Sequence, residues 1–95
     1  MSKRILVVLG HSSESSLCGA ISSSYMKGAQ NAGHDVRLLR LPSLKFDPIL
    51  HDGYNTIQAL EPDLVEAQKS IVWAEHLVFV YPIWWGSIPA ILKGF

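Results

Sequence analysis

Cysteine is nearly absent from this 95-residue sequence, which contains only Cys18. One cysteine cannot form a disulfide within the chain, and this usage is typical of a reducing compartment, so we expect a cytoplasmic protein. Charge of one sign is also lacking, because eight lysines and arginines balance eight aspartates and glutamates. The basic excess that marks nucleic-acid-binding proteins is therefore missing, and we expect no nucleic-acid partner.

Long apolar runs are lacking as well. The first run, Ile5–Leu9, ends at Gly10. It is too short for the apolar core of a signal peptide, and no run approaches the roughly 20 residues of a membrane helix. We therefore expect neither a secretory leader nor membrane insertion. No cluster of residues has the spacing of metal ligands, and we predict no metal site.

Apolar runs nevertheless occur at regular intervals, and 48% of the residues are hydrophobic. Ile5–Leu9 is continuously apolar, which predicts a strand that is buried on both faces, and Leu77–Tyr81 predicts a third apolar strand. Val36–Leu41 carries two arginines, which predicts a strand at the edge of the sheet. Helical segments lie between these strands, so the order predicts an α/β protein with a parallel sheet.

Helical periodicity follows the first strand and precedes the third. Gly33 is placed to end the first helix, and Pro62 to begin the second, which runs to about Ala74. Ser87 is predicted to cap a third helix. The first helix carries a stripe of mostly small residues, which predicts close packing against the sheet. The stripe comprises Leu17, Ala20, Ile21, Ser24, Tyr25, Gly28, Ala29 and Ala32. Residues 42–61 lack periodicity and predict a long loop.

Ligands of parallel sheets bind beyond the carboxyl ends of strands, which directs attention to the loops after the first and third strands. The first, "GHSSESSLCG" (residues 10–19), leads polar residues into a helix N-terminus. Free backbone N–H groups at such a terminus bind anions, and His11 adds a ring donor. The loop lacks G-x-G-x-x-G and the Walker lysine. The alternative is that the serines only cap the helix and His11 is a surface residue.

The loop after the third strand, "YPIWWGSIPA" (residues 81–90), concentrates aromatic surface on a turn. Two adjacent tryptophans point in different directions, so at least one should meet a planar ligand, a partner or solvent. A flavin ring, with one apolar and one polar edge, would suit this loop, and Gly86 permits its close approach. The alternative is that Trp84 and Trp85 pack under the loop or across a dimer contact.

Four segments resemble the flavodoxin-like NAD(P)H:quinone oxidoreductase family and cover almost the whole chain. "YPIWWGSIPAILKGF" (residues 81–95) is similar to the flavin-ring loop of that family, and "LGHSSESS" (residues 9–16) to its phosphate loop. "FDPILHDGYN" (residues 46–55) resembles the loop after its second strand. "LVEAQKSIVWAEHLVFVYP" (residues 64–82) resembles the helix and strand that lead to the ring loop.

The resemblance implies a flavodoxin-like three-layer sandwich with strand order 2-1-3 in this chain and 2-1-3-4-5 in the complete domain. It implies FAD, or alternatively FMN, at the interface of a homodimer. NAD(P)H would reduce the flavin by hydride transfer, and a quinone or similar acceptor would take two electrons. The residues that match family positions are His11, Ser16, Leu17 and Cys18 on the phosphate side and Pro82, Ile83, Trp84, Trp85 and Gly86 at the ring.

Three of these residues depart from the usual family pattern. Cys18 stands where members often have asparagine, and Leu17 where phenylalanine is frequent. Gly86 falls where some members place an aromatic residue. We therefore expect one hydrogen bond on the phosphate side and part of the ring enclosure to differ from the family pattern.

The family domain is longer than this chain, so we expect residues 1–95 to be the N-terminal part of one flavin-binding domain. The catalytic acid–base residues of the family would lie beyond residue 95, and we assign none here. Two alternatives remain open. Some relatives are soluble ancillary subunits of potassium-efflux transporters, and the chain could also be an inactive fragment.

Overall fold

The computed structural model describes residues 2–95, and over this range strands and helices alternate as predicted. The elements are β1 (Arg4–Leu9), α1 (Leu17–Asn31), β2 (Asp35–Arg40), α2 (Pro62–Trp73), β3 (His76–Val80) and α3 (Ala90–Gly94). A single 3-10 turn, Leu41–Ser43, follows β2 in the described range. The 42–61 segment is otherwise the loop that the sequence predicts, and Gly33 ends α1 with φ +87°.

The sheet is parallel, with strand order β2-β1-β3. This confirms the predicted α/β class and the order 2-1-3. β1 occupies the centre because its apolar side chains from Ile5 to Leu9 can be buried on both faces. β2 lies at an edge, where Arg37 and Arg40 remain exposed. β3 is the other edge of the described sheet, and Leu77 and Phe79 are partly exposed there.

The main core lies between one face of the sheet and α2. Leu6 and Val8 of β1 pack with Leu39, Leu41 and Ala67. Burying one such leucine side chain stabilises a fold by about 1.5–3 kcal/mol, and β1 supplies five of the buried hydrophobic residues, Ile5, Leu6, Val7, Val8 and Leu9. Within residues 2–95, no helix is both long and apolar enough to cross a membrane.

The buried face of α1 differs from the prediction. Gly19 and Ser22 are its buried residues, and the Ser22 hydroxyl donates a 2.9 Å hydrogen bond to the carbonyl oxygen of Cys18. The predicted stripe is largely exposed, with Leu17 77% accessible, and lines two shallow grooves. A Cβ on Gly19 would collide with the carbonyl oxygen of Glu14, so only glycine lets the start of α1 pack this closely against the loop that precedes it.

Candidate functional site

The loops after β1 and β3 meet beyond the carboxyl ends of these strands. We call them the β1 loop (residues 10–16) and the β3 loop (residues 81–89). Leu9 is opposite Val80 in the register of the two strands, and the N–H of Gly10 donates a 2.8 Å hydrogen bond to the Val80 carbonyl oxygen. Beyond this bond the ring of His11 contacts that of Trp84, with centroids 5.2 Å apart and planes at 73°. The two loops to which the sequence directs attention therefore converge.

Ser16 begins α1 as its N-cap. Its Oγ accepts a 3.2 Å hydrogen bond from the Gly19 N–H and donates a 2.8 Å bond to the Ser13 carbonyl oxygen. Ser16 therefore caps the helix, and its role in binding a cofactor stays a prediction. Because its hydroxyl proton is used within the loop, Ser16 has only its backbone N–H left to donate to a ligand.

The first turn of α1 presents backbone donors. In residues 2–95 the N–H groups of Ser15, Leu17 and Cys18 have no hydrogen-bond acceptor, and the first turn contains no acidic residue. The positive end of the helix dipole lies at the same place. The exposed Leu17 and the half-buried Cys18 thus occupy positions where an anion would bind through main-chain groups rather than through their side chains.

Glu14 is the acid of the β1 loop, and its carboxylate is bound by residues at the end of β2 and just after it. Arg40 Nε lies 2.7 Å from Glu14 Oε1, and the Ser43 hydroxyl donates a 3.3 Å hydrogen bond to Oε2. Both charged side chains are about half exposed, so the pair contributes less than about 1 kcal/mol. Its effect is to tie the β1 loop to β2 and to compensate the negative charge near the helix start.

His11 is held in a defined orientation. The backbone N–H of Ser13 donates a 2.8 Å hydrogen bond to His11 Nδ1. A ring nitrogen that accepts a hydrogen bond carries no proton, so the proton of the neutral ring is on Nε2. His11 therefore offers one N–H donor beyond its own loop, and it is half-buried rather than a free surface residue.

The β3 loop contains a two-residue reverse turn. Trp84 and Ser87 exchange backbone hydrogen bonds of 3.0 and 3.1 Å, and the central residues have φ +54° (Trp85) and +72° (Gly86). Positive φ at both central positions is the requirement of a type I′ turn. The prediction that Ser87 caps the third helix is wrong, because α3 begins at Ala90 and no side chain makes a capping hydrogen bond to it. Pro89 is the residue before α3.

The turn exposes its aromatic surface. Trp85 is fully exposed, Ile83 is 71% accessible and Trp84 is 45% accessible, whereas Pro82 is half-buried. The alternative that both indoles pack under the loop is therefore wrong for Trp85. A non-glycine residue at positive φ costs about 1–3 kcal/mol, and such strain is frequent at ligand sites. A bulky exposed indole at this position gives no packing in return within the described residues.

Sequence reasoning missed the residues that orient the site: Ser13, which anchors His11, Arg40, which binds Glu14, and Ser87, which pairs with Trp84. Only Ser87 had a local signal, because glycine is common at the second central position of two-residue hairpin turns. The other two depend on contacts that residue spacing does not reveal.

Comparison with known proteins identifies the family. The sequence model of a family described as having a flavodoxin-like fold matches residues 3–95, and the chain belongs to that family. An NAD(P)H dehydrogenase (quinone) 1 of Cavia porcellus is 32% identical over 97% of the chain. A ribosyldihydronicotinamide dehydrogenase (quinone) of Pongo abelii is 27% identical over 97% of it.

A solved structure shares both the fold and part of the sequence. An NAD(P)H:quinone oxidoreductase of Methanothermobacter marburgensis superposes on 99% of the chain with a TM-score of 0.83 at 28% identity. The chain spans 41% and 48% of the two curated relatives and 51% of that structure. It thus corresponds to about half the length of the proteins that it matches.

Proposed function

We propose that this chain supplies the flavin site of an enzyme that uses NAD(P)H to reduce quinones or similar acceptors by two electrons. The observation that carries the proposal is the junction of the β1 and β3 loops, where His11 of the loop that leads into the free N–H groups of α1 contacts the exposed Trp84. Membership of the flavodoxin-like family supports it, as do relatives named for quinone-dependent dehydrogenase activity.

The two halves of the site fit the two ends of a flavin nucleotide. The free N–H groups at the start of α1 and the Nε2–H of His11 would hold the phosphates. At the other end, Ile83, Trp84 and Trp85 offer apolar and aromatic surface to a planar ring. We propose FAD as the cofactor, with FMN as the alternative, because both carry the same ring and at least one phosphate.

When bound, the flavin supplies the redox chemistry, accepting hydride from NAD(P)H and passing two electrons to the acceptor. The residues of this chain would bind and orient it. The turn at Trp85 and Gly86 would cover the flavin ring and exclude water from it. The half-exposed side chain of Trp84 alone would leave part of the ring open to solvent. We assign no proton-transfer role to any described residue.

The proposal extends to the protein's organisation. Residues 1–95 would form the N-terminal part of a flavin-binding domain, since the matched relatives are about twice as long. We propose a homodimer, as the family resemblance implies, with an interface near the exposed indoles. A cytoplasmic setting is proposed from the single cysteine.

Flavin titration of the full-length protein, with the whole of the proposed flavin-binding domain, tests the proposal. FAD and FMN should quench in fluorescence and shift in absorbance on binding, and the bound flavin should bleach when NADPH is added. Replacing both Trp84 and Trp85 with alanine should weaken binding by about tenfold or more, since one aromatic stacking interaction contributes about 0.5–1.5 kcal/mol.

Trp73→Phe is the matched control, because Trp73 lies under Arg37, whose guanidinium is 4.0 Å from the centre of its ring, and phenylalanine keeps that stack. This variant should bind flavin like the wild type. Absence of binding by both FAD and FMN in the wild type would refute the proposed function.

A further inference from the structure

We propose that His11 is a positioning residue for Trp84, so that an anion at the β1 loop and a planar ring at the β3 loop bind cooperatively. The inference rests on the proposed function for the identity of the ring. The contact that carries it, between His11 and Trp84, is a property of the ligand-free chain.

His11 moves with the β1 loop because its ring is fixed to that loop's backbone. The 2.8 Å bond from the Ser13 N–H to Nδ1 closes a short cycle within the loop. The same loop is fixed to the sheet by Gly10, through Val80, and to β2 by Glu14, through Arg40. The free Nε2–H is thereby held in one direction, and an anion that accepts its proton would restrain the ring further.

Trp84 is held through its backbone but less through its side chain. Its N–H and carbonyl group both bond to Ser87, whereas 45% of the residue is exposed. Among the described residues, His11 is the aromatic ring in contact with it, at a 73° edge-to-face angle. The positive edge of one ring faces the negative face of the other in such pairs, so the imidazole restricts the rotation of the indole.

Coupling between the two ends follows from this arrangement. An anion that restrains His11 also reduces the freedom of the Trp84 indole, so a ring that binds next has less motion to arrest. By linkage, a ring bound at the β3 loop raises the affinity of the β1 loop for an anion by the same factor. An aromatic pair of this kind corresponds to about a two- to tenfold change in affinity, which sets the expected size of the coupling.

Riboflavin and inorganic pyrophosphate probe the two loops separately. Riboflavin has the ring without phosphate and tests the β3 loop, whereas pyrophosphate is an anion without a ring and tests the β1 loop. Riboflavin affinity should rise about two- to tenfold at saturating pyrophosphate in the wild type. The increase should vanish in His11→Asn, in Trp84→Leu and in the double variant. An unchanged affinity in the wild type, or an equal increase in His11→Asn, would overturn the inference.

His34→Asn is the matched control. His34 Nδ1 also accepts a backbone hydrogen bond, from the Lys3 N–H at 3.0 Å. His34 directly precedes β2, so it lies at the amino ends of the strands, whereas the candidate site lies at their carboxyl ends. This variant also loses a hydrogen bond from a backbone N–H to an imidazole nitrogen, and His34 does not contact Trp84. His34→Asn should keep the increase in riboflavin affinity with pyrophosphate. Loss of the increase in this control would overturn the inference, because the effect would then depend on the stability of the whole fold rather than on His11.

A ligand-free measurement keeps the inference separate from the proposed function. In a nitrogen–proton spectrum, the indole Nε1–H signal of Trp84 is assigned by its loss in Trp84→Leu. It should shift in His11→Asn and stay in place in His34→Asn. If His11→Asn does not fold, the carbon-bound ring protons of His11 should shift in Trp84→Leu instead.

The two readouts fail differently. The inference would be overturned, even if flavins bind, by a Trp84 signal that does not shift in His11→Asn and a His11 signal that does not shift in Trp84→Leu. Riboflavin binding without any pyrophosphate effect would also overturn it and leave the proposed function intact. Failure of all flavins to bind would refute the proposed function, and the indole signals would still decide whether His11 positions Trp84.

Discussion

The backbone N–H of Gly10 donates a 2.8 Å hydrogen bond to the carbonyl oxygen of Val80, which extends the pairing of β1 and β3 by one step. The two loops therefore leave the sheet from neighbouring points. A Cβ on Gly10 would lie 3.0 Å from a methyl carbon of Leu92, so α3 packs over the same junction. The candidate site thus has a tightly packed base, and its exposed aromatic groups lie farther out.

Two helical glycines of α1 should respond oppositely to alanine. Gly19→Ala forces a Cβ onto the carbonyl oxygen of Glu14 and should lower the free energy of unfolding by about 1–3 kcal/mol. Gly28→Ala meets no atom within 4 Å and should raise it by about 0.5–1 kcal/mol, because alanine has the higher helix propensity. Urea denaturation measures both. Equal effects would show that Glu14 does not pack on Gly19.

Loss of the cap at Ser16 should destabilise the start of α1. Ser16→Ala removes the bond from the Gly19 N–H and the bond to the Ser13 carbonyl oxygen, which together should cost about 1 kcal/mol in chemical denaturation. Ser23→Ala, at an exposed position in the middle of the same helix, is the control and should be neutral or slightly stabilising. The cap assignment fails if the two substitutions have the same effect.

Trp85→Gly should separate stability from binding. Glycine adopts the φ of +54° without the strain that tryptophan bears, so the free energy of unfolding should rise by about 1 kcal/mol. Flavin affinity should fall in the same variant because the exposed indole is gone. Gly86→Ala, at φ +72°, should destabilise the turn instead. A Trp85→Gly variant that is less stable than wild type would show that the indole packs against something in solution.

Asp47 should titrate at an unusually low pH. A hydrogen bond from the His51 ring and another from the Ile49 N–H hold the pKa of its carboxyl group below the ordinary value of 3.8. A lowered folded-state pKa means that its contribution to loop stability is present above pH 3.8 and is lost as the pH falls through the lowered pKa.

Carbon NMR of the Asp47 carboxyl group measures this pKa directly. In His51→Asn the largest cause of the shift is removed, and the pKa should move upward towards the ordinary value. Lys69 pairs with Glu66 on the exposed face of α2. Replacing Lys69 should leave the pKa of Asp47 unchanged. An Asp47 pKa that does not respond to His51→Asn would show that the two side chains are not bonded in solution.

The length and chemistry of the segments were predictable because they depend on local properties. Ile5–Leu9 has no polar residue to place at a surface, so it became the central strand, whereas Arg37 and Arg40 marked an edge strand. The resemblance of residues 81–95 to a flavin-ring loop located the second loop of the site. Whether the predicted residues bind a cofactor remains a prediction.

The sequence by itself determined which segments are strands and helices, where α1 ends, and that the loops after β1 and β3 carry the polar and aromatic groups, because each depends on neighbouring residues. Only the tertiary structure decided that Gly19 and Ser22 are the buried residues of α1 in place of the apolar stripe, and that His11 meets Trp84. The contact of His11 with Trp84 joins segments far apart in the chain and requires the register of β1 against β3. The packing of α1 on the β1 loop requires the close approach that Gly19 permits.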